Sequence, residues 1–270
     1  MNRSIENTSS PSLSIITISM NDSCGLLDTS NSICSQAEIG DYSLIEWIVV
    51  DGGSTDDSIS ILKSLDMPFR TRWISEADKG IFDAMNKGTL LSRGDYILFL
   101  NSGDVFHDNK VLNYYLPYLR NRNSQIYSGL VNIIYEDVST LQDLEPWVNH
   151  QSVFVARTLL RSFHFDTSLK YFGDLDLWKR LQMAGLFKPI RLQRPVASFK
   201  MGGVGNNPAY IFKRLRERIV IADRYSDKIP NIVRLIYALF LYLVYRCFGK
   251  NMYYRILVLS NTSIKKIQTR

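Results

Sequence analysis

The chain has 270 residues, 46% of them hydrophobic and 21% charged, which is enough apolar material for one large domain or two small ones and too much for a disordered chain. Its three cysteines, Cys24, Cys34 and Cys247, are odd in number and lack paired spacing, which excludes a disulfide framework and fits free thiols in a reducing compartment. Net charge is +6, yet residues 191–270 hold 16 Lys/Arg against 3 Asp/Glu while residues 1–190 hold 16 against 23, so an acidic body carries a basic tail.

Residues 1–11 are polar, contain no apolar signal core, and read as a flexible lead-in to a cytoplasmic chain. SLSIITIS (12–19) is apolar and β-branched, a buried strand. A polar stretch from Asn21 leads into a segment expected to be helical as far as about residue 40. IEWIVVD (45–51) is a second continuous apolar run, ending in Asp51-Gly52-Gly53-Ser54-Thr55-Asp56. Ser54 or Thr55 can cap a helix over SISILKSL (58–65), with Asp56 and Asp57 in its first turn. TRWIS (71–75) is a third strand and delivers Asp78 just beyond its end. Ile81, Ala84, Met85 and Gly88 then recur at helical spacing and predict a helix with one packed face. YILFL (96–100), the fourth strand, stops abruptly in Asn101, Ser102, Gly103 and Asp104. Further on, IYSGLVNIIY (126–135) and HQSVFVA (150–156) predict strands, and DLDLWKRLQMAG (174–185) a helix closed by Gly185. Continuous apolar strands separated by helices predict an α/β fold: a doubly wound, mostly parallel central sheet with flanking helices.

Ligands of open parallel sheets sit beyond the carboxyl ends of the strands. Asp51, Asp78 and Asp104 all fall at that edge. Three carboxylates repel a bare phosphate but suit nucleoside edges, ribose hydroxyls and a divalent cation bridging phosphates. Each also has a local alternative. Asp51 can close an Asx-turn before Gly-Gly, Asp78 can cap a helix through Gly80 or Ile81, and Asp104 can be a turn or cap residue. Neither G-x-G-x-x-G nor G-x-x-x-x-G-K-[ST] occurs, which removes support from dinucleotide and P-loop readings.

VVDGGSTDDSI, SEADKGIFDAMNKG and FLNSGD, in that order, resemble the nucleotide-sugar-binding half of family 2 glycosyltransferases with the GT-A fold. The resemblance is strongest to bacterial enzymes that build capsular, O-antigen and exopolysaccharide repeat units, and it covers roughly residues 12 to 205. It implies a GT-A catalytic domain over residues 12–207, with a nucleotide-sugar half (12–110) and an acceptor half (111–207). It further implies that Asp51 and Asp78 contact the nucleoside, that Ser19 and Asn21 line the same pocket, and that Gly80, Asp83 and Asn86 belong to the nucleotide-sugar site. The family's D-x-D-type motif holds Mg²⁺ or Mn²⁺ on the diphosphate. Here its first aspartate is Asn101 and the acidic residue arrives at Asp104, so the resemblance makes Asp104 the metal ligand and Asn101 a ribose or metal contact.

Glycosyl transfer also needs a base for the acceptor hydroxyl. Asp174, in YFGDLDLWKRL, stands at a helix start behind Gly173 and resembles the aspartate of the family's Glu-Asp motif, which is the catalytic base. Asp176 is its rival, about 200° further round the helix, so both cannot face the acceptor. The alternative for Asp174 is a plain helix N-terminal charge. The resemblance implies a single in-line displacement with inversion and no covalent intermediate. PWVNHQSVF (146–154) offers Trp147, His150 and Gln151 to a sugar acceptor, and His-Gln is frequent there among relatives. FKMGGVG (199–205) reads as a loop able to fold over the diphosphate, with Lys200 supplying charge.

Residues 208–270 form a basic, aromatic, mostly helical tail. LIYALFLYLVY (235–245), flanked by Arg234 and Arg246, would rise about 16 Å as a helix, short of the ~30 Å hydrocarbon core. The expectation is an interfacial segment docking on the inner leaflet. The alternative is a helix packed on the catalytic domain or on a second copy in a homo-oligomer. No nucleic-acid-binding motif accompanies the basic charge. Together these readings predict an inverting glycosyltransferase, peripheral on the cytoplasmic face of the membrane, that moves a sugar from a nucleotide-diphosphate sugar to a lipid-carried saccharide. The competing reading is a noncatalytic nucleotide-sugar-binding protein recruited to the membrane by its tail.

Overall fold

The structure, a computed structural model, describes residues 11–36, 40–143, 148–227 and 229–260. Trp147 lies outside the described residues. The first half runs β1 (Leu13–Ser19), α1 (Ser23–Cys34), β2 (Ile45–Asp51), α2 (Ser58–Ser64), β3 (Arg70–Ser75), α3 (Ile81–Leu91) and β4 (Tyr96–Phe99). There follow β5 (Val105–Phe106), α4 (Val111–Asn121), β6 (Ile126–Tyr135), β7 (Val138–Gln142), β8 (Val153–Ala156), α5 (Arg157–Ser162), α6 (Gly173–Met183) and β9 (Ile190–Lys200). Two helices close the chain, α7 (Ile211–Arg224) and α8 (Asn231–Ser260).

One curled sheet takes the strands in the order β3-β2-β1-β4-β8-β6-β9-β5, with β7 on β6. It is parallel through β3, β2, β1 and β4 and mixed beyond, because β8 enters antiparallel between β4 and β6. Chain order reverses at β1, which has β2 on one side and β4 on the other. That switch point opens a crevice at the carboxyl edge.

Alternate residues of the central strands feed two cores, which is why these runs are apolar throughout. Leu13, Ile15, Trp47, Val49 and Leu98 pack beneath α1, α2 and α4. Ile16, Ile18, Ile48, Val50, Ile97 and Phe99 pack on the opposite face with α3, α5 and α6. Each such side chain removed from water contributes roughly 1.5–3 kcal/mol. Helix α3 lies close on the sheet because Gly88 has no side chain: a Cβ there would stand 2.5 Å from Ile16 Cγ2. The expected packed face of α3 is shifted by one position. Phe82 is buried beside Ala84 and Met85, while Ile81 is exposed.

The start of α2 also differs from expectation. Neither Ser54 nor Thr55 caps it, because both are engaged by the neighbouring loop. Asp56 serves instead, accepting from Ser58 N at 3.1 Å through one oxygen and from Ser23 N at 2.9 Å through the other. One carboxylate thus ties the first turns of α1 and α2 together. HQSVFVA divides into a 3₁₀ turn over residues 150–152 and the strand β8. The predicted helix over 174–185 is α6, and Gly185 behind it takes φ of 70°, a left-handed conformation that glycine adopts without strain.

Helix α8 is much longer than the eleven apolar residues suggested. Its backbone breaks once, at Gly249 (φ 79°, ψ −175°). The first limb packs a narrow stripe, Ala238, Leu241 and Val244, against α7, and the second limb lays Val258 on Val131, Ile133 and Phe199 of the sheet.

Candidate active site

The tips of β1 and β2 form one wall of the crevice. Asp51 is fully buried and its oxygens are spent locally. It accepts from Gly53 N (3.0 Å), Ser54 N (2.8 Å), Ser54 Oγ (2.5 Å) and Ser75 Oγ (2.7 Å). Asp51 therefore organises the Gly-Gly turn and ties it to β3, and its carboxylate faces inward. Asn21, in the left-handed region at φ 51°, locks the β1 tip onto the same turn: its N–H donates to Ser54 Oγ at 2.7 Å and its Oδ1 accepts from Thr55 N at 2.8 Å. Ser19 lies beneath them, buried, with no hydrogen-bond partner for Oγ among the described residues.

Asp78 reaches the same spot from β3. One oxygen accepts from Gly80 N at 2.8 Å, and the other lies over Gly52, 2.7 Å from where a Cβ would stand. A larger residue at position 52 would push this carboxylate aside. Gly80 precedes α3 at φ 122°, and Asp83 in the first turn accepts from Lys79 N at 3.1 Å. That bond, with Lys87 nearby, holds the Asp83 carboxyl below the usual carboxylate range. Asn86 stands apart from the group. Its amide bonds the Phe165 backbone through both ends (3.0 and 2.9 Å), so it clamps α3 to the acceptor half.

The β4 tip is strapped to α1. Thr29 Oγ1 bonds the Asn101 and Asp104 carbonyls and accepts from Gly103 N, while Ser102 Oγ donates to the Asp22 carbonyl. Inside this loop Asp104 is buried and accepts from Asn101 N at 3.1 Å. Burial pushes its carboxyl up to about 6, against the opposing pull of His150 and of hydrogen bonds from Gln151 and Asn101. Beside it, Asn101 Oδ1 and Gln151 Oε1 are buried oxygens without partners among the described residues.

The acceptor half meets this tip through one histidine. Asn101 Nδ2 stands 3.2 Å from His150 Nε2, and His150 Nδ1 stands 3.1 Å from Asp174 Oδ2. An amide nitrogen only donates, so Nε2 accepts and the imidazole proton sits on Nδ1, pointing at the carboxylate. The second Asp174 oxygen accepts from Leu175 N at 2.8 Å. The Asp174 side chain remains 24% exposed. His150, expected among acceptor contacts, thus holds the carboxylate expected to be the base. Asp176 is no rival. It is fully buried and bound by Arg180 (2.8 Å), Arg224 (2.6 Å) and Tyr225 (2.7 Å).

One supporting residue escaped the reading of the sequence. Glu217, an acidic residue amid the basic run KRLRER, accepts from the backbone N–H groups of Lys170 (2.6 Å), Tyr171 (2.9 Å) and Phe172 (3.2 Å). Helix α7 therefore holds the loop that presents Asp174. Its lone carboxylate among cations was the available signal. Lys200 ends β9, exposed, and leaves the sheet at the carboxyl edge; no hydrogen bond or ion pair among the described residues joins it to Asp104 or Asp174.

A half-parallel sheet whose switch point gathers carboxylates, faced by a helix-borne aspartate, defines a glycosyltransferase of the GT-A type, and solved GT-A structures share the fold. A mannosyltransferase from Pyrobaculum calidifontis in complex with GDP-Man and Mn²⁺ superposes with a TM-score of 0.64 at 16% identity, covering 97% of this chain and 82% of that one. TarS 1-349 of S. aureus in complex with UDP-GlcNAc gives 0.59 at 14% identity, covering 87% and 73%. Residues 14–176 match the family described as glycosyl transferase family 2, and the chain belongs to it. An uncharacterized glycosyltransferase of Mycobacterium tuberculosis is 31% identical over 233 residues, 81% of this chain and 87% of that protein. Chondroitin synthase of Escherichia coli is 30% identical over 161 residues, 54% of this chain but only 23% of the synthase.

Proposed function

We propose that this family 2 enzyme moves a sugar, with inversion, from a nucleotide-diphosphate sugar to a hydroxyl of a lipid-carried saccharide in surface polysaccharide or glycolipid assembly. The observation that carries the reading is the chain Asn101–His150–Asp174, which couples the donor-side strand tip to the base. Asp174 takes the proton of the acceptor hydroxyl as its oxygen attacks the anomeric carbon from the face opposite the leaving diphosphate. A positioned base of this kind contributes roughly 10²–10⁴ in rate. The Nδ1–H of His150 orients the carboxylate. Asp78 at the mouth of the crevice receives the nucleoside, with Ser19 buried beneath and Asp51 and Asn21 holding the turn around it.

The donor set fits one divalent cation held mainly by the donor's own diphosphate. Asp104 and the unpartnered Asn101 Oδ1 offer two neighbouring oxygens, and no cluster of three or more His, Cys, Asp or Glu that could hold a metal occurs among the described residues. The Mn²⁺ in the mannosyltransferase complex supports this reading. A cation bound there supplies Lewis-acid stabilisation of the charge on the departing diphosphate.

Nucleotide release from UDP- and GDP-sugars, with Mg²⁺ or Mn²⁺ and membrane extract as acceptor, tests the reading. We expect release that depends on the extract. Nucleotide binding without turnover on any donor would replace it with the noncatalytic binding protein.

The first limb of α8 supports membrane docking. Ile232, Ile236, Phe240 and Leu243 are exposed on it, turned away from the stripe that packs on α7. By length and composition α8 could cross a membrane. The break at Gly249 and the packing of the second limb on the sheet favour a helix lying in the interface. The protein is expected to sediment with vesicles containing anionic lipid, and the triple substitution Ile236→Glu, Phe240→Glu, Leu243→Glu to remain in the supernatant. Unchanged sedimentation of that variant would refute docking through this face.

A further inference from the structure

Between α7 and α8 lies a cavity of about 320 Å³ whose lining includes Phe172, Arg214, Leu215, Arg218, Val233 and Leu241. Its size falls within the range of small-ligand sites. Its position is more informative, because Phe172 is two residues from Asp174 and Phe172 N is held by Glu217.

The cavity has too much uncompensated charge for a packing defect. Arg234 is neutralised by Asp227 at 2.8 Å and also bonds Asn231. Arg214 donates only to the neutral Tyr253 hydroxyl at 3.1 Å, and its Nε is buried without a partner among the described residues. Arg218 has no carboxylate within ion-pair distance among them and rests its guanidinium 5.5 Å over the Phe172 ring, with Arg214 at 5.8 Å on the same ring. Burial and then the nearby Arg234 charge work against the Arg218 cation, and the Asp227 and Asp174 carboxylates, beyond ion-pair distance, offset this only in part. Both arginines are half-buried, and two guanidinium groups with no carboxylate bonded to them around one cavity favour an anion. Apart from Tyr237, the remaining lining is aliphatic, with Ile211, Leu215 and Leu241 among it. Ile229 and Val233 continue into the exposed apolar face of α8.

We propose that this cavity binds the phosphate or diphosphate head of a lipid-linked acceptor, with Arg214 and Arg218 as its anion-binding groups and the apolar lining and α8 face guiding its tail toward the membrane. The inference rests on the lipid-carried acceptor proposed above and gives that acceptor a seat beside Asp174. A planar guanidinium suits a phosphate oxygen pair, and the aromatic ring beneath keeps both cations aimed. The sugar attached to such a head would be presented to the base with its lipid outside the crevice.

Binding of farnesyl diphosphate to the full chain, measured by calorimetry without donor, tests this directly, with pyrophosphate and farnesol as separate arms. Farnesyl diphosphate should bind at least about 10-fold tighter than either fragment, and Arg218→Gln or Arg214→Gln should weaken it at least about 10-fold. Equal binding of farnesol would reduce the site to an apolar groove, and equal binding of pyrophosphate to a simple anion site; either result overturns the proposal. Val233 is half exposed, so a pair of variants there avoids misfolding of a half-buried arginine mutant. Val233→Glu should bind farnesyl diphosphate at least about 10-fold more weakly than Val233→Lys, since the two differ chiefly in charge. Equal affinities would refute the anion site. Turnover on other acceptors without lipid diphosphate binding would sink this inference alone, whereas lipid diphosphate binding without turnover would sink only the enzymatic reading.

Discussion

Replacing Asp174 with Asn is expected to slow turnover about 10²–10⁴-fold while leaving nucleotide-sugar binding intact. The substitution keeps size and shape. The new amide oxygen can still accept from Leu175 N or from His150 Nδ1, the two bonds that fix the side chain. What disappears is the group able to take the acceptor proton. If Asp174 served only as a charge in the first turn of α6, the variant would lose less than about 1 kcal/mol of stability and retain its rate. Single-turnover measurement of the variant with saturating donor separates the two roles, and a rate equal to wild type would remove Asp174 from the chemistry. His150→Ala provides a graded companion. It leaves the carboxylate in place but unaimed, so its rate should fall between those of wild type and Asp174→Asn.

Asp104→Asn should have two opposite effects, lower activity and higher stability. The Asp104 carboxyl is buried and holds its proton up to about pH 6, above the ordinary value of 3.8. In the folded chain the group therefore binds its proton more tightly than in the unfolded chain. The stability linked to that proton is fully present below pH 3.8 and is lost as pH rises through about 6. Near pH 7.5 wild type buries an ionised carboxylate at a cost of up to about 3 kcal/mol, and the neutral amide avoids it. The ligand-free variant should melt several degrees higher than wild type at pH 7.5, with the gap closing toward pH 4. If Asp104 holds the cation as proposed, its turnover, and the stimulation of turnover by Mg²⁺ or Mn²⁺, should drop by about 10²-fold or more, because a charged oxygen donor beside Asn101 is lost. Lower melting temperature with full activity would mark Asp104 as a turn residue that merely accepts the Asn101 N–H. The two readouts together show why a buried carboxylate is kept where an amide would be more stable.

The strands of the donor half were legible because both faces of the sheet are covered. Burial of both faces of β1, β2 and β4 favours near-continuous apolar runs, with Ser14, Thr17 and Glu46 tolerated only because each is hydrogen-bonded. IEWIVVD therefore ends where β2 ends, and the polar residue that stops the run marks the carboxyl edge. The glycine that closes α6 was legible for a similar reason, since Gly185 takes a positive φ that other residues resist. Local spacing was less reliable at helix starts. Ser54 looks like a cap, yet its hydroxyl is drawn to Asp51, and Asp56 closes α2 from two residues upstream while reaching Ser23 at the start of α1. Periodicity likewise placed Ile81 on the packed face of α3, while contact with Phe165 and the sheet selected Phe82.

The sequence by itself therefore determined the family, the sheet edge where ligands gather, and the residue types available for the chemistry, because burial and backbone sterics act over a few neighbouring residues. Tertiary structure alone decided which of those residues meet. Asp51 turned inward, Asp176 entered a buried ion-pair network, His150 moved between Asn101 and Asp174, and Glu217 reached back from the tail to hold the loop before α6. Hydrogen bonds and ion pairs have a reach of a few ångströms in space, whatever the separation along the chain, so their partners are set by how the two halves and the tail pack.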